Sequence, residues 1–498
     1  MKKDVLKDSS VNIHSLQEKV KNQLTREFKK GTGAFFTPYK IIQRLIDLAD
    51  VDLGDKIFDP SCALGQFLDA LINILVLIGK KKRLQGLELA KLVSQNIYGT
   101  DINESFVRTC KRHLSNKAYE LLGAKVKFKI SKKDFLSLDS KEQFDIVIGN
   151  PPYGIPGYDP HYPIRFSQEQ KRDYKKRFKT WRGKYNIYAL FIEQSLNVLK
   201  IGGRLSFIVP ATFMILNEFE KLRKHLSKTG KIEIDYLGSG IFKDAQVATV
   251  LLKVTKGKKG IILKANDYYN EKELYQGDLI RFEDDFTKDL EKNALCRLDD
   301  LFDIHISARS PEVANNPFVS RTLHSEQRRG WSSKKSDSID EPNLSVPGKL
   351  LEGYLPILNG RNLKPFKIDY ETNFSGYWIK SDKVGTLKDF YLKDRIAVGH
   401  TKGGKIEAAV DYRKYPWISD VYFLIPNENL LSLIRNDKLK PLSLEEITYL
   451  LNSSLAQKFM RSLYKDITPH TTLTQLKIFP IYPINQWEKL EEKYEKDK

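Results

Sequence analysis

The sequence has little cysteine: Cys62, Cys110 and Cys296 are the only three in 498 residues. They show no paired spacing, which excludes a disulfide framework and a structural zinc knot and suits a reducing compartment. No cysteine follows a proline, so there is no sign of the nucleophile that cytosine-5 methylation needs. The His-x-Glu with Pro-Cys-x-x-Cys pattern of zinc deaminases is missing too, and no bound metal is expected. Long apolar runs are also missing. The longest, Leu68 to Gly79, carries Asp69 and Asn73, so no membrane span is expected. Met1-Lys-Lys-Asp leads into a polar segment rather than a signal peptide. Neither the three-glycine dinucleotide fingerprint nor the Gly-Lys-Ser/Thr of a phosphate loop occurs, which argues against nucleotide triphosphate hydrolysis.

Positive charge is plentiful. With 83 Lys and Arg against 63 Asp and Glu, the net charge is +20. That points to a polyanionic partner, nucleic acid first and an anionic membrane surface second. Hydrophobic content of 41% excludes a disordered chain. The length suggests two or three domains.

The most informative stretch is Phe144-Asp-Ile-Val-Ile-Gly-Asn-Pro-Pro-Tyr153. Ile146 to Ile148 is a β-branched run of the kind a buried central strand shows. It ends at Asn150, where two prolines forbid a helix and further ladder pairing. The result is a stiff loop at the carboxyl end of a strand, where open α/β sheets bind ligands. The chemistry this suits is methylation of an exocyclic amine, whose lone pair is delocalised into its ring. The Asn150 side-chain oxygen and a loop carbonyl, that of Pro151, can accept its N–H bonds and localise the lone pair for attack on a methyl sulfonium. Tyr153 would stack on the base, a contact of roughly 1–3 kcal/mol. The competing reading is an ordinary Pro-Pro turn.

The surrounding motifs fall in α/β order. Residues 1–30 read as a solvated, Lys-rich arm. Thr37-Pro38 reads as a helix start with Thr37 at the N-cap, where a cofactor carboxylate could also be held. Lys56-Ile-Phe-Asp59-Pro60-Ser61-Cys62-Ala-Leu-Gly65 reads as strand, tight loop and helix start, with Cys62 a small loop residue rather than a nucleophile. A second strand ends in Asp101, suited to ribose hydroxyls, although the gap from Gly65 exceeds the usual ~20 residues; an insertion, Lys80 to Gln95, explains it. Val126 to Ile130 gives a third strand, followed by Asp134 and Phe135, which suit an adenine. Tyr158, Tyr162, Lys175, Lys176, Arg177 and Trp181 form either a nucleic-acid loop or a charged surface helix. A helix from Tyr185 is expected to stop at Gly202-Gly203, and Leu205 to Val209 is the next strand. Asp235 to Gly238 and Ala248 to Val254 then form an antiparallel final pair around Phe242. Phe242 is either the second face of an aromatic sandwich with Tyr153 or plain core.

Beyond about residue 290 the alternation gives way to short β-like runs dense in Arg, Lys, Tyr and Trp. Gly360-Arg361-Asn-Leu-Lys364 and His400-Thr-Lys402-Gly-Gly-Lys405 look like phosphate-contacting loops; a solvated basic surface is the alternative. The expected divisions are an arm, 1–30, a catalytic domain, 31–288, and a DNA-specificity domain, 289–498.

Taken together, residues 31–480 resemble the TaqI-type N6-adenine DNA methyltransferases of restriction–modification systems. The resemblance rests on Thr37-Pro38, Asp59 to Gly65, Asn150-Pro-Pro-Tyr-Gly154, Trp181-Arg-Gly-Lys-Tyr-Asn186 and Val209-Pro-Ala-Thr212. It continues through Ser307-Ala-Arg-Ser-Pro311, Leu358 to Pro365, Ala456-Gln-Lys458 and Thr468-Pro-His470. It implies a Rossmann-like α/β sheet binding S-adenosylmethionine, with an antiparallel final strand, and a C-terminal mixed α/β DNA-recognition domain. The cofactor would be held by Thr37, Asp59, Pro60, Ser61, Cys62, Asp101, Asp134, Phe135 and Pro152, with Phe191 near its adenine. The target adenine would be flipped between Tyr153 and Phe242, with Asn150 and the Pro151 carbonyl on its amino group. Pro469 would fill the space the base leaves. The partner would be double-stranded DNA, read at a short palindrome such as TCGA by a cytoplasmic, nucleoid-associated monomer, with a cognate endonuclease only as a genetic partner. The residues leave no segment for a nuclease. The rivals are a methyltransferase of RNA or of a protein glutamine amide, of which the protein-modifying enzyme would not need the basic C-terminal half, and a DNA-binding protein with an inactive cofactor fold.

Overall fold

Ile146, Val147 and Ile148 are fully buried, at the middle of a nine-stranded sheet. The computed structural model describes residues 37–495 except 139–142, 155–165, 182–185, 243–246, 267, 322–352, 401–404, 420, 431–441 and 469. The arm 1–30, Tyr158, Tyr162, Lys402 and Pro469 therefore lie outside the described residues. The chain divides into two compact units, one ending at Arg281 and the other starting at Phe282.

In the first unit the strands are β1 (Ile57–Asp59), β2 (Ile97–Asp101), β3 (Lys129–Lys132), β4 (Phe144–Gly149), β5 (Leu199–Pro210), β6 (Gly230–Gly238), β7 (Thr249–Lys256), β8 (Ile261–Ala265) and β9 (Tyr268–Lys272). Their spatial order is β3-β2-β1-β4-β5-β7-β6-β8-β9. The pairs from β3 through to β5 are all parallel. β7 is antiparallel to both neighbours. The strand order reverses between β1 and β4, and that switch point opens a crevice at their carboxyl ends. This is the expected Rossmann-like sheet with its reversed strand. The sheet runs further than the expected final pair, because β8 lies parallel to β6 and β9 returns antiparallel to it.

Helices cover the sheet. α1 (Tyr39–Ala49) buries Ile41, Ile42, Leu45, Ile46 and Ala49, and the Leu45 carbonyl accepts the Ser206 hydroxyl of β5 at 2.9 Å. Thr37 is not its cap. Pro38, with ψ at 138°, remains extended and its carbonyl accepts the N–H groups of Ile41 and Ile42, so the helix starts at Tyr39. α2 (Gln66–Lys81) leaves the Asp59–Gly65 loop. Gly65, at φ +89°, makes the turn; a Cβ there would also stand 2.8 Å from Cys110 Sγ. The insertion is helical: α2 runs on to Lys81 and α3 (Gly86–Asn96) returns. Gly79 lets Leu89 approach, since a Cβ would stand only 2.3 Å from it. α4 (Glu104–Leu122) is capped by Asn103.

Two further boundaries differ from expectation. α6 (Tyr188–Val198) stops at Leu199, and Gly202-Gly203 lie inside β5 instead of ending the helix. There they form an irregularity that sets Phe144 against Leu199 and Ile146 against Arg204. A Cβ at Gly203 would meet the Lys200 carbonyl at 2.9 Å. β3 starts at Lys129, three residues after Val126. The basic segment after the Asn-Pro-Pro-Tyr loop contains a surface helix, α5 (Gln168–Arg177), capped by Ser167.

The second unit is mixed α/β. Phe302–Ile306, Val421–Pro426, Ile396–Gly399 and Ala408–Val410 form an antiparallel sheet in that order. A smaller one joins Val319–Arg321, Tyr377–Lys380 and Tyr354–Pro356. Trp417, Phe423, Tyr391 and Ile379 centre the core between them. Helices Leu444–Asn452, Ser454–Tyr464 and Ile484–Glu495 follow. Helix Asp285–Asn293 belongs here rather than to the first unit: the Phe282 N–H bonds the Leu463 carbonyl, and the Tyr482 hydroxyl bonds the Leu290 carbonyl.

Candidate active site

The carboxyl ends of β3, β2, β1 and β4 carry Asp134, Asp101, Asp59 and Asn150 in sheet order. Asp59 is buried beneath the switch point. Its Oδ1 accepts the Ser61 N–H at 3.0 Å. Gly149 presses against the same carboxylate, where a Cβ would stand 2.8 Å from Oδ1. Burial pushes the Asp59 carboxyl up to about 8; the Ser61 N–H opposes this and the charge of Asp101 adds to it. Asp101 Oδ2 accepts the Ala63 N–H at 3.0 Å and Oδ1 that of Asn103 at 2.8 Å. The second strand end thus holds the first loop in place. Burial raises this acid too.

The loop itself is held by further backbone contacts. The Thr100 hydroxyl donates to the Pro60 carbonyl at 3.3 Å, and the Cys62 N–H to the Thr100 carbonyl at 3.0 Å. The Cys62 thiol is pushed well up, first by its bond with Cys110 and then by burial. Such a thiol stays protonated and is a poor nucleophile.

Asp134 caps a single 3-10 turn, Phe135–Ser137, by accepting the Leu136 N–H at 3.0 Å. The Phe135 ring lies 5.5 Å from Phe58 and 5.2 Å from Phe191, a residue of α6. Asp134, Phe135 and Phe191 therefore stand together at one end of the crevice.

Asn150 stands at the other end, just beyond β4. Its side-chain nitrogen donates to the Thr37 hydroxyl at 3.1 Å, and its carbonyl accepts the Ser61 hydroxyl at 3.1 Å. The loop is fixed beyond that as well. Pro151 is buried and Pro152 half-buried. The Tyr153 hydroxyl donates to the Ile208 carbonyl at 2.8 Å. The Gly154 N–H bonds Asn186 Oδ1 at 2.7 Å, and the Gly154 carbonyl accepts the Ile187 N–H at 2.9 Å. Asn186 closes the Trp181–Asn186 motif, so the chain leaves the loop at Gly154 and returns to it at Asn186. The Tyr153 and Phe242 rings lie 6.2 Å apart at 74°, edge to face, and Tyr188 meets Tyr153 at the same separation. The two rings share one place but do not stand parallel here.

On the second unit, Arg361 is exposed on a turn whose backbone is fixed by two amides. Asn359 Oδ1 accepts the Arg361 N–H at 2.9 Å, while buried Asn362 donates to the carbonyls of Asp369 and Thr372 at 2.8 and 2.7 Å. Lys405, also exposed, precedes Ile406, whose N–H and carbonyl are both held by the Gln457 amide at 2.9 and 3.1 Å. Asn452 grips Ala408 in the same way. The rings of His400 and His470 stack at 4.9 Å. Asn452 and Gln457, which hold the backbone at Ala408 and Ile406, were not singled out from the sequence, although Gln457 lies inside the Ala456-Gln-Lys458 motif. Among the described residues no cluster of His, Cys, Asp or Glu is set to hold a metal ion, and no helix is long and apolar enough to cross a membrane.

Residues 95–242 match the Eco57I restriction-modification methylase family, and residues 355–481 match the TaqI-like C-terminal specificity domain. Over 463 residues, 91% of either chain, the sequence is 34% identical to the type II methyltransferase M.TthHB8I of Thermus thermophilus. It is 29% identical over 239 residues to M.HincII of Haemophilus influenzae, covering 46% of this chain and 38% of that one. Among solved structures, the type ISP restriction-modification enzyme LlaGI, in complex with a DNA substrate mimic, aligns with a TM-score of 0.58 at 13% identity, over 98% of this chain and 48% of that one. The DrdV–DNA complex aligns with a TM-score of 0.56 at 13% identity, over 94% and 57%. These two are likenesses of fold.

Proposed function

The chain belongs to the TaqI-related DNA methyltransferases of type II restriction–modification systems, and from that premise we propose that it methylates N6 of an adenine in a short duplex site. The observation that carries this reading is the pinned Asn150–Gly154 loop at the switch point, beside a row of three acids. Residues that suit S-adenosylmethionine line the crevice: its hydroxyl and amino groups call for oxygen acceptors, and Asp59, Asp101 and Asp134 supply a carboxyl group at each successive strand end. Thr37, Pro60, Ser61, Cys62 and Pro152 would complete the cradle, with Phe135 and Phe191 about the adenine. When bound, the group supplies a methyl already activated for transfer.

The rest of the work is done by this chain. Asn150 Oδ1 and the Pro151 carbonyl would accept the two N–H bonds of the target amine and draw it toward tetrahedral geometry. An amide is no base, so the amine sheds its extra proton to water after the new N–C bond has formed. Tyr153 and Phe242 would grip the flipped base, offsetting the few kcal/mol that unstacking and unpairing cost. Phe242 must then swing from its edge-on position to face Tyr153. Arg361, Lys402 and Lys405 would hold DNA phosphates and Pro469 would fill the vacated space. The site read is a short palindrome such as TCGA. Methylation there by a cytoplasmic monomer would protect it from a cognate endonuclease.

The test is transfer of a labelled methyl group to duplex DNA, RNA and protein in parallel. Duplex DNA alone should accept it, and Asn150→Ala should lower the rate by about 100-fold or more, as loss of a transition-state hydrogen bond does, while cofactor binding survives. A variant that keeps most of its activity would refute the role. Protection of a plasmid against a panel of restriction enzymes would identify the site.

A further inference from the structure

The helix α5 is unusually charged. Six of the twelve residues from Gln168 to Lys179 are Lys or Arg, against 83 in 498 for the chain. It buries one side chain, Tyr174. A helix with so little apolar surface is not there to build the core, so the single anchor calls for an explanation. The Tyr174 ring is enclosed edge-on by Phe166 at 5.0 Å and Phe178 at 5.7 Å. Its hydroxyl donates to Asp134 Oδ2 at 2.9 Å, a bond spanning 40 residues. The Ser137 hydroxyl donates to the same oxygen at 3.3 Å. Burial and the neighbouring Asp134 charge raise the Tyr174 phenol, so it stays a donor.

We propose that Tyr174 is a positioning residue for cofactor recognition, holding Asp134 so that its other oxygen faces the adenine amino group. This rests on the assignment of Asp134 to the cofactor's adenine. The hydrogen-bond arithmetic supports it. Among the described residues Oδ2 takes two hydroxyl donors and Oδ1 only the Leu136 N–H, and a carboxylate oxygen has capacity for two donors. A fixed anionic acceptor welcomes the amino group of adenine and repels the carbonyl oxygen of hypoxanthine. Tyr174 thus acts on base selection through Asp134, without touching the ligand's reacting atoms. The chain that carries Tyr174 leaves and rejoins the catalytic loop at Gly154 and Asn186, so the same excursion serves both ends of the crevice.

The experiment measures dissociation constants of the full-length protein for S-adenosylhomocysteine and S-inosylhomocysteine by equilibrium dialysis. The parent should prefer the adenosyl compound. Tyr174→Phe should narrow that preference about 10-fold, mostly by weakening adenosyl binding, as loss of a hydrogen bond to a charged group does. Ser137→Ala, which removes the longer bond at an exposed position, should narrow it about 3-fold and decides the matter alone if Tyr174→Phe does not fold. If both variants bind the two compounds more weakly by equal factors, Tyr174 merely packs the helix and the proposal is overturned. A parent that binds both equally overturns it through Asp134, whereas a parent that binds neither overturns the cofactor assignment beneath it.

Discussion

The side-chain amide of Asn150 donates to the hydroxyl of Thr37 across 113 residues of sequence, at 3.1 Å. That bond turns the nitrogen end of the amide toward Thr37 and so fixes the direction in which its oxygen points, which the proposed role of Asn150 requires. A residue suited by type to cap a helix instead orients the Asn150 side chain.

Replacing Thr37 with valine keeps the shape and removes the acceptor. The amide would then rotate more freely, and we expect the rate of methyl transfer to fall about 10-fold, in keeping with one lost hydrogen bond. Thr37→Ser should restore most of it. Single-turnover rates at saturating cofactor check this; equal rates for the valine and serine variants would remove Thr37 from the mechanism.

Asp59 gives a pH dependence with a definite sign. Burial raises its pKa from the ordinary 3.8 to about 8. Between those limits the folded protein holds a proton that the unfolded chain has released. The stability this contributes is complete below about pH 4 and is lost as pH rises through 8. The melting temperature should therefore fall between pH 5 and pH 9, and Asp59→Asn, uncharged throughout, should flatten that fall. Parallel slopes for the two proteins would show that Asp59 ionises freely in the fold.

Much of this centre was legible in the sequence. Ile146–Ile148 reads as a buried strand that two prolines end, and the acids expected at successive strand ends do fall side by side, because strand period and turn chemistry are local. What escaped was long-range. Thr37 looked like a cap because threonine before proline favours that place, and nothing nearby announces Asn150. Gly202-Gly203 looked like a helix stop because glycine serves helix ends and strand irregularities alike. Tyr174 was hidden in a run of charge, and nothing near Asn452 or Gln457 in the sequence points to the backbone that each holds. Each acts on a partner 40 or more residues away.

The second unit depends on a buried ion pair. Arg395 and Asp411 have no side-chain exposure. Asp411 also accepts from the Trp417 indole at 3.1 Å and the Tyr370 hydroxyl at 2.9 Å, and the guanidinium lies about 5 Å from the Tyr391 and Phe423 rings. Asp411→Ala strands a charge and should cost about 3–5 kcal/mol. Arg395→Met combined with Asp411→Leu should cost less than Asp411→Ala alone, since the stranded charge is gone. Denaturant midpoints of the three proteins decide it, and a double variant less stable than the single would show that the pair stabilises the fold beyond neutralising itself.

Charge and positioning can be separated at the proposed DNA surface. Arg361 and Lys405 are both exposed; Asn359 holds the Arg361 N–H, and Gln457 holds the backbone of Ile406, the residue after Lys405. A side chain that neutralises a phosphate releases a counterion, so removing it should make the plot of log affinity against log salt shallower by about 0.9. Arg361→Ala and Lys405→Ala should each do this, and together by about twice as much. Gln457→Ala removes no charge. It frees the backbone at Ile406, so affinity should fall about 10-fold at fixed salt while the slope stays near that of the parent. Filter-binding titrations at several salt concentrations resolve the two effects. If Arg361→Ala and Lys405→Ala leave the slope unchanged, these cations are solvated surface and the phosphate contacts lie elsewhere.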